Sequence, residues 1–270
     1  MQVRDRNFSN KTGKAAEPRS ALGAAPQGAA DPQAAARAMR EMFTSIAPRY
    51  DLLNHLLSFN IDRLWWKRAA QTFSHLLNRE GVRVLDLCCG TGDMTFALHR
   101  QAARKQIGKV TPTLLGADFS HAMLVRAGRK SEGTALRWIE ADALRLPLPD
   151  RSFDLVTSAF GFRNLNNYDA GLHEIFRILR PGGEVGILDF GEPRGLFGTL
   201  YRAYFRHVLP TIGTLVSGVR GPYSYLPASV ERFPSPDEML ERMHQAGFES
   251  VTWTPYTLGV AGLYRGKKDR

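Results

Sequence analysis

From Val82 onward, short apolar runs alternate with longer segments whose apolar positions recur every three or four residues. The runs Val82–Leu87, Thr113–Ala117, Leu136–Glu140, Leu155–Ala159 and Val185–Phe190 predict strands. Between and beyond them, Met94–Ala103, His121–Lys130, Tyr168–Leu179 and Asp237–Ala246 predict helices. Short apolar strands separated by helices point to a parallel sheet covered on both faces. Asn166 to Asp169 reads as a helix cap, and Pro181-Gly182-Gly183 as a sharp stop and turn. Val251–Thr254 and Leu258–Tyr264 close the chain as a hairpin-like strand pair, which adds an antiparallel strand near the C-terminus. The fold class expected is therefore α/β.

Upstream of this pattern the chain is helical, then low in apolar content. Asp31-Pro32 reads as an N-cap and first-turn proline, opening a helix to Ile46 that stops near Pro48. Leu52–Phe59 and Leu64–Leu77 are two further helical patches, so residues 31–80 form a helical lead-in to the sheet. Residues 1–30 are Ala, Gly, Pro, Ser and charge, too poor in apolar area to offset ordering entropy, and read as a disordered tail. After Glu192 the alternation breaks, and residues 193–233 mix aromatic, Gly and Pro residues as expected of a helical lid. The remaining 31–270 forms one domain.

Composition narrows the class. The 270 residues suffice for one sizeable core, and no run of 18 apolar residues is present to span a membrane. The first residues lack the apolar stretch of a secretory signal. Cys88 and Cys89 are the only cysteines, which excludes a disulfide framework and a four-cysteine zinc site and suits a reducing, cytoplasmic setting. No metal is expected. The net charge is +10, of which residues 1–40 carry +4, seven basic residues standing against three acids. That excess suits nucleic acid, an anionic membrane surface or an acidic substrate.

The chemistry concentrates at predicted strand ends, where open α/β sheets bind ligands. Val84-Leu85-Asp86-Leu87 leads into Cys88-Cys89-Gly90-Thr91-Gly92 and a helix start. Such a junction aims backbone N–H groups at a ligand, with Gly90 and Gly92 supplying the turn. The spacing is neither that of a dinucleotide fingerprint nor that of a P-loop. An acid four residues before the glycine pair resembles sites for S-adenosylmethionine (SAM), where Asp86 would face the cationic amino group of the methionine part. Asp118 ends the second strand and suits the two hydroxyls of a ribose. Asp142 follows the third strand and suits an adenine amino group. The fourth ends in Ser158-Ala159-Phe160-Gly161-Phe162-Arg163-Asn164.

This arrangement resembles the SAM-dependent methyltransferase superfamily, which implies a Rossmann-like sheet and SAM as co-substrate. Tyr50-Asp51-Leu52-Leu53-Asn54 with Ser58 and Trp65, the Phe160–Asn164 run, and Arg177-Ile178-Leu179-Arg180-Pro181-Gly182-Gly183 are similar to signatures of the ubiquinone/menaquinone biosynthesis C-methyltransferases. The similarity extends over about residues 40–268. Carried over by position, it places SAM contacts on Thr91, Asp118, Asp142 and Ala143, with a further one on Ala159 where serine is usual; Ser158 precedes it. The chain departs from the pattern at Asp62, where His is common, at Asp189, where Glu is usual, and at Gly191, where Ser is usual.

The resemblance implies methylation of a ring carbon in a prenylated quinol, first of all demethylmenaquinol to menaquinol. Benzoquinol methylation in ubiquinone biosynthesis and a non-catalytic SAM-binding subunit are the alternatives. Ring carbon becomes nucleophilic when the neighbouring phenol loses its proton, so the site must favour a phenolate. Arg163 is the candidate cation for that oxygen and Asn164 a group to orient it. Asp51, His207 and Tyr225 are candidate proton acceptors. Ile61, Trp65, Trp66, Phe197, Tyr201 and Phe205 are candidates to line a groove for the prenyl tail. The basic surface suits peripheral attachment to an anionic bilayer. Nucleic acid is not expected as substrate, since no Asn-Pro-Pro-Tyr run follows the fourth strand, and a homodimer is left open.

Overall fold

The structure is a computed structural model, and it describes residues 23–24, 32–47, 55, 58, 60–104, 112–191, 193, 195–204 and 222–269. Helix α1 (Pro32–Ile46) starts at its proline and buries Ala35, Met39 and Ile46, a stripe at helical spacing. Helices α2 (Ile61–Thr72) and α3 (Ser74–Leu77) follow, burying Trp65, Trp66, Ala69, Ala70, Leu76 and Leu77. The sheet then begins with β1 (Arg83–Leu87), α4 (Asp93–Ala103), β2 (Thr113–Asp118), α5 (His121–Lys130) and β3 (Arg137–Glu140). It continues through β4 (Phe153–Ala159), α6 (Tyr168–Ile178) and β5 (Leu179–Phe190). Helices α7 (Gly195–Ala203), α8 (Pro222–Arg232) and α9 (Pro236–Gln245) precede the closing strands β6 (Glu249–Tyr256) and β7 (Ala261–Lys267).

The seven strands run in the order β3-β2-β1-β4-β5-β7-β6. The first five pair in parallel, and β7 is antiparallel to both β5 and β6. Alternate residues of the central strands feed two cores. Leu85, Leu87, Val156 and Ile187 pack with Leu172, Ile175, Met239 and Phe248 on one face. Val84, Leu155 and Leu188 pack with Trp65, Phe73 and Leu98 on the other. That double burial is why these strands read as unbroken apolar runs. The caps are local: Asn167 accepts from the Ala170 N–H to start α6, and Ser235 and Glu238 form a capping box on α9.

Two segments carry detail beyond the expected pattern. The helix preceding Pro181-Gly182-Gly183 ends at Ile178, as a stop there requires, but the segment itself lies inside β5 as a bulge, since Phe153 pairs with Leu179 and Leu155 with Glu184. The extra residues are accommodated at the sheet's end, beside Asp154, whose carboxylate accepts from Arg180. Within the expected disordered tail, the Ala24 N–H donates to the Leu165 carbonyl at 2.6 Å, satisfying an acceptor at the end of a 3-10 turn. The patch Leu52–Phe59 falls mostly outside the described residues, as does the middle of the 193–233 lid.

Candidate active site

The strand order reverses between β1 and β4, and a cavity of about 510 Å³ opens beyond their carboxyl ends. The first residue past each strand is left-handed, Cys88 at φ 54° and Phe160 at φ 57°. Neither is glycine, so both turns carry backbone strain at the cavity floor. They also touch neighbouring turns: a Cβ on Gly161 would collide with Cys88, so only glycine lets the two loops meet. Burial pushes both thiols, Cys88 and Cys89, well above the usual range and keeps them protonated.

One edge of the cavity is polar. The Asp118 carboxylate accepts the Gly90 N–H at 2.8 Å and the Ser120 N–H at 2.9 Å, fastening the glycine turn to the end of β2. Burial still lifts its pKa to about 6. A buried carboxylate with two donors has further acceptor capacity, which hydroxyl donors of a ligand would satisfy. Asp142 accepts the Leu144 N–H at 2.9 Å, and Ala141, Asp142 and Ala143 continue this edge. Helix α1 walls the same end, with Phe43 edge-on to Phe119 and the Arg40 guanidinium over the Phe119 ring.

The opposite edge is apolar. Trp65, Phe160 and Phe190 form an aromatic trio with centroid separations of 5.8, 4.7 and 6.4 Å. Ile61, Trp66 and Tyr201 also line the cavity, while Phe205 and the side chain of Phe197 lie outside the described residues. Between the edges stand Arg163 and Asn164.

Of the residues singled out in the sequence, Asp86, Gly90, Asp118, Asp142, Ala143, Ala159, Arg163 and Asn164 line the cavity. Thr91, Gly92, Ser158 and Tyr225 do not. Gly92 is the left-handed N-cap of α4, and Thr91 is buried, with its hydroxyl accepting from Lys130 Nζ at 3.2 Å. Ser158 is buried in β4; strand alternation turns Ala159, not Ser158, to the cavity. Asp51 and His207 lie outside the described residues.

The side-chain partners of three of these residues bear on their expected roles. Asp86 reaches the cavity wall with both oxygens already engaged: Oδ2 accepts from Thr95 at 2.6 Å and Oδ1 from Thr157 at 2.9 Å, so an amino group there would share the carboxylate with two hydroxyls. Burial outweighs those bonds and raises its pKa to about 7. Arg163 is not a free cation. Its guanidinium donates to Asp189 Oδ1 at 2.9 Å and to the Phe160 carbonyl, and its backbone N–H donates to Asp189 Oδ2 at 3.1 Å. Tyr225 is placed as a donor, its hydroxyl 3.3 Å from Asn164 Oδ1, and burial raises its pKa.

Sequence reasoning missed one supporting residue and gave a second no role. Lys130 joins α5 to the glycine turn through Thr91 and through Asp93 at 2.9 Å; nothing local distinguishes it from any surface lysine. Asp62, noted as a departure, is buried and accepts from His55 Nδ1 at 2.7 Å beside the cavity, a carboxylate–imidazole contact. Among the described residues no cluster of three His, Cys, Asp or Glu side chains is placed to hold a metal ion.

Comparison with known proteins places this geometry among relatives. The model of the ubiE/COQ5 methyltransferase family matches residues 32–268. A demethylmenaquinone methyltransferase of Deinococcus radiodurans is 46% identical over 241 residues, 88% of this chain and 95% of that protein. One from Thermus thermophilus is 47% identical over 230 residues, 84% of this chain and all of that protein. Among solved structures, a SAM-dependent methyltransferase of Thermotoga maritima superposes with a TM-score of 0.58 at 20% identity, covering 86% of this chain and 100% of that one. A SAM-dependent methyltransferase of Aquifex aeolicus gives 0.54 at 18% identity, over 76% and 92%. At such identities these two share the fold.

Proposed function

The chain belongs to the ubiE/COQ5 methyltransferase family and is a SAM-dependent C-methyltransferase, and we propose that it methylates a ring carbon of a prenylated quinol, converting demethylmenaquinol to menaquinol. The observation that carries this reading is the division of one cavity into a carboxylate edge and an aromatic edge, with Arg163 and Asn164 at the join.

When bound, SAM supplies an electrophilic methyl group on a sulfonium. Its adenosine part fits the polar edge: Asp118 has the acceptor capacity for ribose hydroxyls, and Asp142 stands one strand further on for the adenine amino group. Gly90 allows close backbone approach. Asp86, at the same cavity wall, also holds β1, α4 and β4 together through Thr95 and Thr157.

The quinol ring and prenyl tail fit the Trp65–Phe160–Phe190 side. Arg163, held rigid by Asp189 and lying 5.0 Å over the Phe190 ring, presents fixed N–H donors where a phenolate oxygen develops. Because Tyr225 occupies the Asn164 carbonyl, the Asn164 amide nitrogen is the group turned to donate to that oxygen. Donors that are already oriented cost no reorganisation as the charge forms. The aromatic walls exclude water from a step in which an anion and a cation combine to neutral products. Drawing such an acceptor from a bilayer implies a cytoplasmic chain in peripheral contact with an anionic membrane.

The test is methylation of detergent-solubilised demethylmenaquinol by purified protein, followed by mass spectrometry, with Asp118→Ala as the inactive control. Cells lacking the protein should accumulate demethylmenaquinone. Accumulation of a demethylated benzoquinone instead would move the acceptor to ubiquinone biosynthesis. Intact donor binding without methylation of either quinol would favour the non-catalytic subunit.

A further inference from the structure

The described residues expose four leucines: Leu64 at 51%, Leu196 at 80%, Leu200 at 64% and Leu258 at 75%. Contacts gather the three segments that carry them. Trp65 on α2 donates to Thr257 Oγ1 at 2.8 Å, and the Arg68 guanidinium lies 4.5 Å from the Tyr256 ring centroid. Gly191 donates to the Val260 carbonyl at 3.0 Å, and Arg202 on α7 donates to the Pro193 carbonyl at 3.3 Å. The 257–259 turn therefore sits between α2 and the base of α7. Its flanks, Thr257 and Val260, line the cavity, as do Trp65 and Tyr201, so the leucines border the mouth on the aromatic side.

Leu258 shows that this placement is specific. Thr257, Leu258 and Gly259 are consecutively left-handed, at φ 46°, 56° and 91°. The left-handed region is unfavourable for leucine and doubly so when it directs the side chain into water. A strained backbone that exposes a hydrophobe marks a surface with an occupant.

The charges around it select one. Arg63, Lys67 and Arg68 on α2 and Arg202 on α7 are exposed, while Asp62, the sole acid in either helix, is buried. A second copy docked face to face would set these cations against themselves. An anionic bilayer neutralises them and accepts the leucines below its headgroups.

We infer that Leu64, Leu196, Leu200 and Leu258, ringed by Arg63, Lys67, Arg68 and Arg202, form the face by which this protein seats on an anionic lipid bilayer, with the aromatic end of the cavity opening toward the hydrocarbon. This deepens the proposed function and rests on it for the purpose of the opening, whereas the seating itself is measured without any quinol.

The experiment is flotation of the full chain with phosphatidylcholine vesicles, with and without phosphatidylglycerol. Wild type should float with the anionic vesicles and be released by salt. Leu196→Asp/Leu258→Asp should lower partitioning about tenfold or more, with melting temperature and SAM binding unchanged. If the aspartates lower the melting temperature, Leu196→Ser/Leu258→Ser keeps the comparison. Arg63→Glu/Lys67→Glu should weaken only the anionic partitioning. Wild type that stays free of anionic vesicles, or leucine variants that float like wild type, would overturn the inference. So would a wild-type dimer in ultracentrifugation that the leucine substitutions dissociate, since that assigns the face to a second copy. A chain that floats yet methylates no solubilised quinol leaves this face standing and removes the acceptor reading.

Discussion

Arg163 and Asp189 grip each other twice, side chain to side chain at 2.9 Å and backbone N–H to carboxylate at 3.1 Å, with Asp189 wholly buried. The pair links the Phe160–Asn164 turn after β4 to the end of β5. It also reaches α8, because Arg163 Nε donates to Ser229 Oγ at 3.4 Å. A guanidinium so fixed is a poor general base and a good oriented donor.

Breaking this pair from one side leaves an uncompensated buried charge. Asp189→Asn is expected to destabilise by about 3–5 kcal/mol in urea denaturation and to lower kcat. Asp189→Glu keeps the charge and should recover part of both losses. Equal stability in Asp189→Asn and wild type would show that the pair is not structurally required.

Asp118 serves the glycine turn and, on the proposed reading, the ribose. In Asp118→Asn the amide nitrogen faces a backbone N–H that the carboxylate had accepted, and one charged acceptor is lost. Calorimetry should show SAM affinity reduced by about 10–100-fold, the equivalent of about 1.5–3 kcal/mol. Unaltered affinity would place the ribose elsewhere.

The pH dependence follows from Asp86. Its folded pKa of about 7 lies above the ordinary 3.8, so the unfolded chain ionises first as pH rises. Its contribution to stability is fully present below pH 3.8 and is lost as pH climbs through about 7. Asp86→Asn removes this titration. Thermal melts of the ligand-free protein should show the variant gaining on wild type between pH 4 and 7, with the difference levelling above that. A constant difference across the range would refute the shift.

Lys130 acts through Thr91 and Asp93 and touches no proposed reacting atom. Lys130→Met should raise the KM for SAM by about 3–10-fold, as expected for loss of about 1 kcal/mol of charged hydrogen bonding, while kcat stays within about twofold. Lys130→Arg should restore part of the binding. A fall in kcat at unchanged KM would argue against a role in positioning the turn.

The sequence alone determined which segments become strands and helices and which carboxylates stand at the strand ends. His121–Lys130, the Asn167 cap, the Pro32 start and the β1-to-Gly92 junction rest on periodicity, capping and turn chemistry, all set by neighbours a few residues apart. Three aspartates at successive strand ends were legible for the same reason, since a parallel sheet puts those ends on one side.

Only the tertiary structure decided what each side chain meets. Asp86 turned to Thr157, 71 residues away, Arg163 to Asp189 at 26, and Lys130 to Thr91 at 39. It also made Pro181-Gly182-Gly183 a bulge within β5, because pairing with β4 continues past it. Such outcomes depend on which strands become neighbours at the reversal between β1 and β4, and on burial that removes competing water. Local pattern carries no record of either, because both arise from contacts between segments remote in the chain.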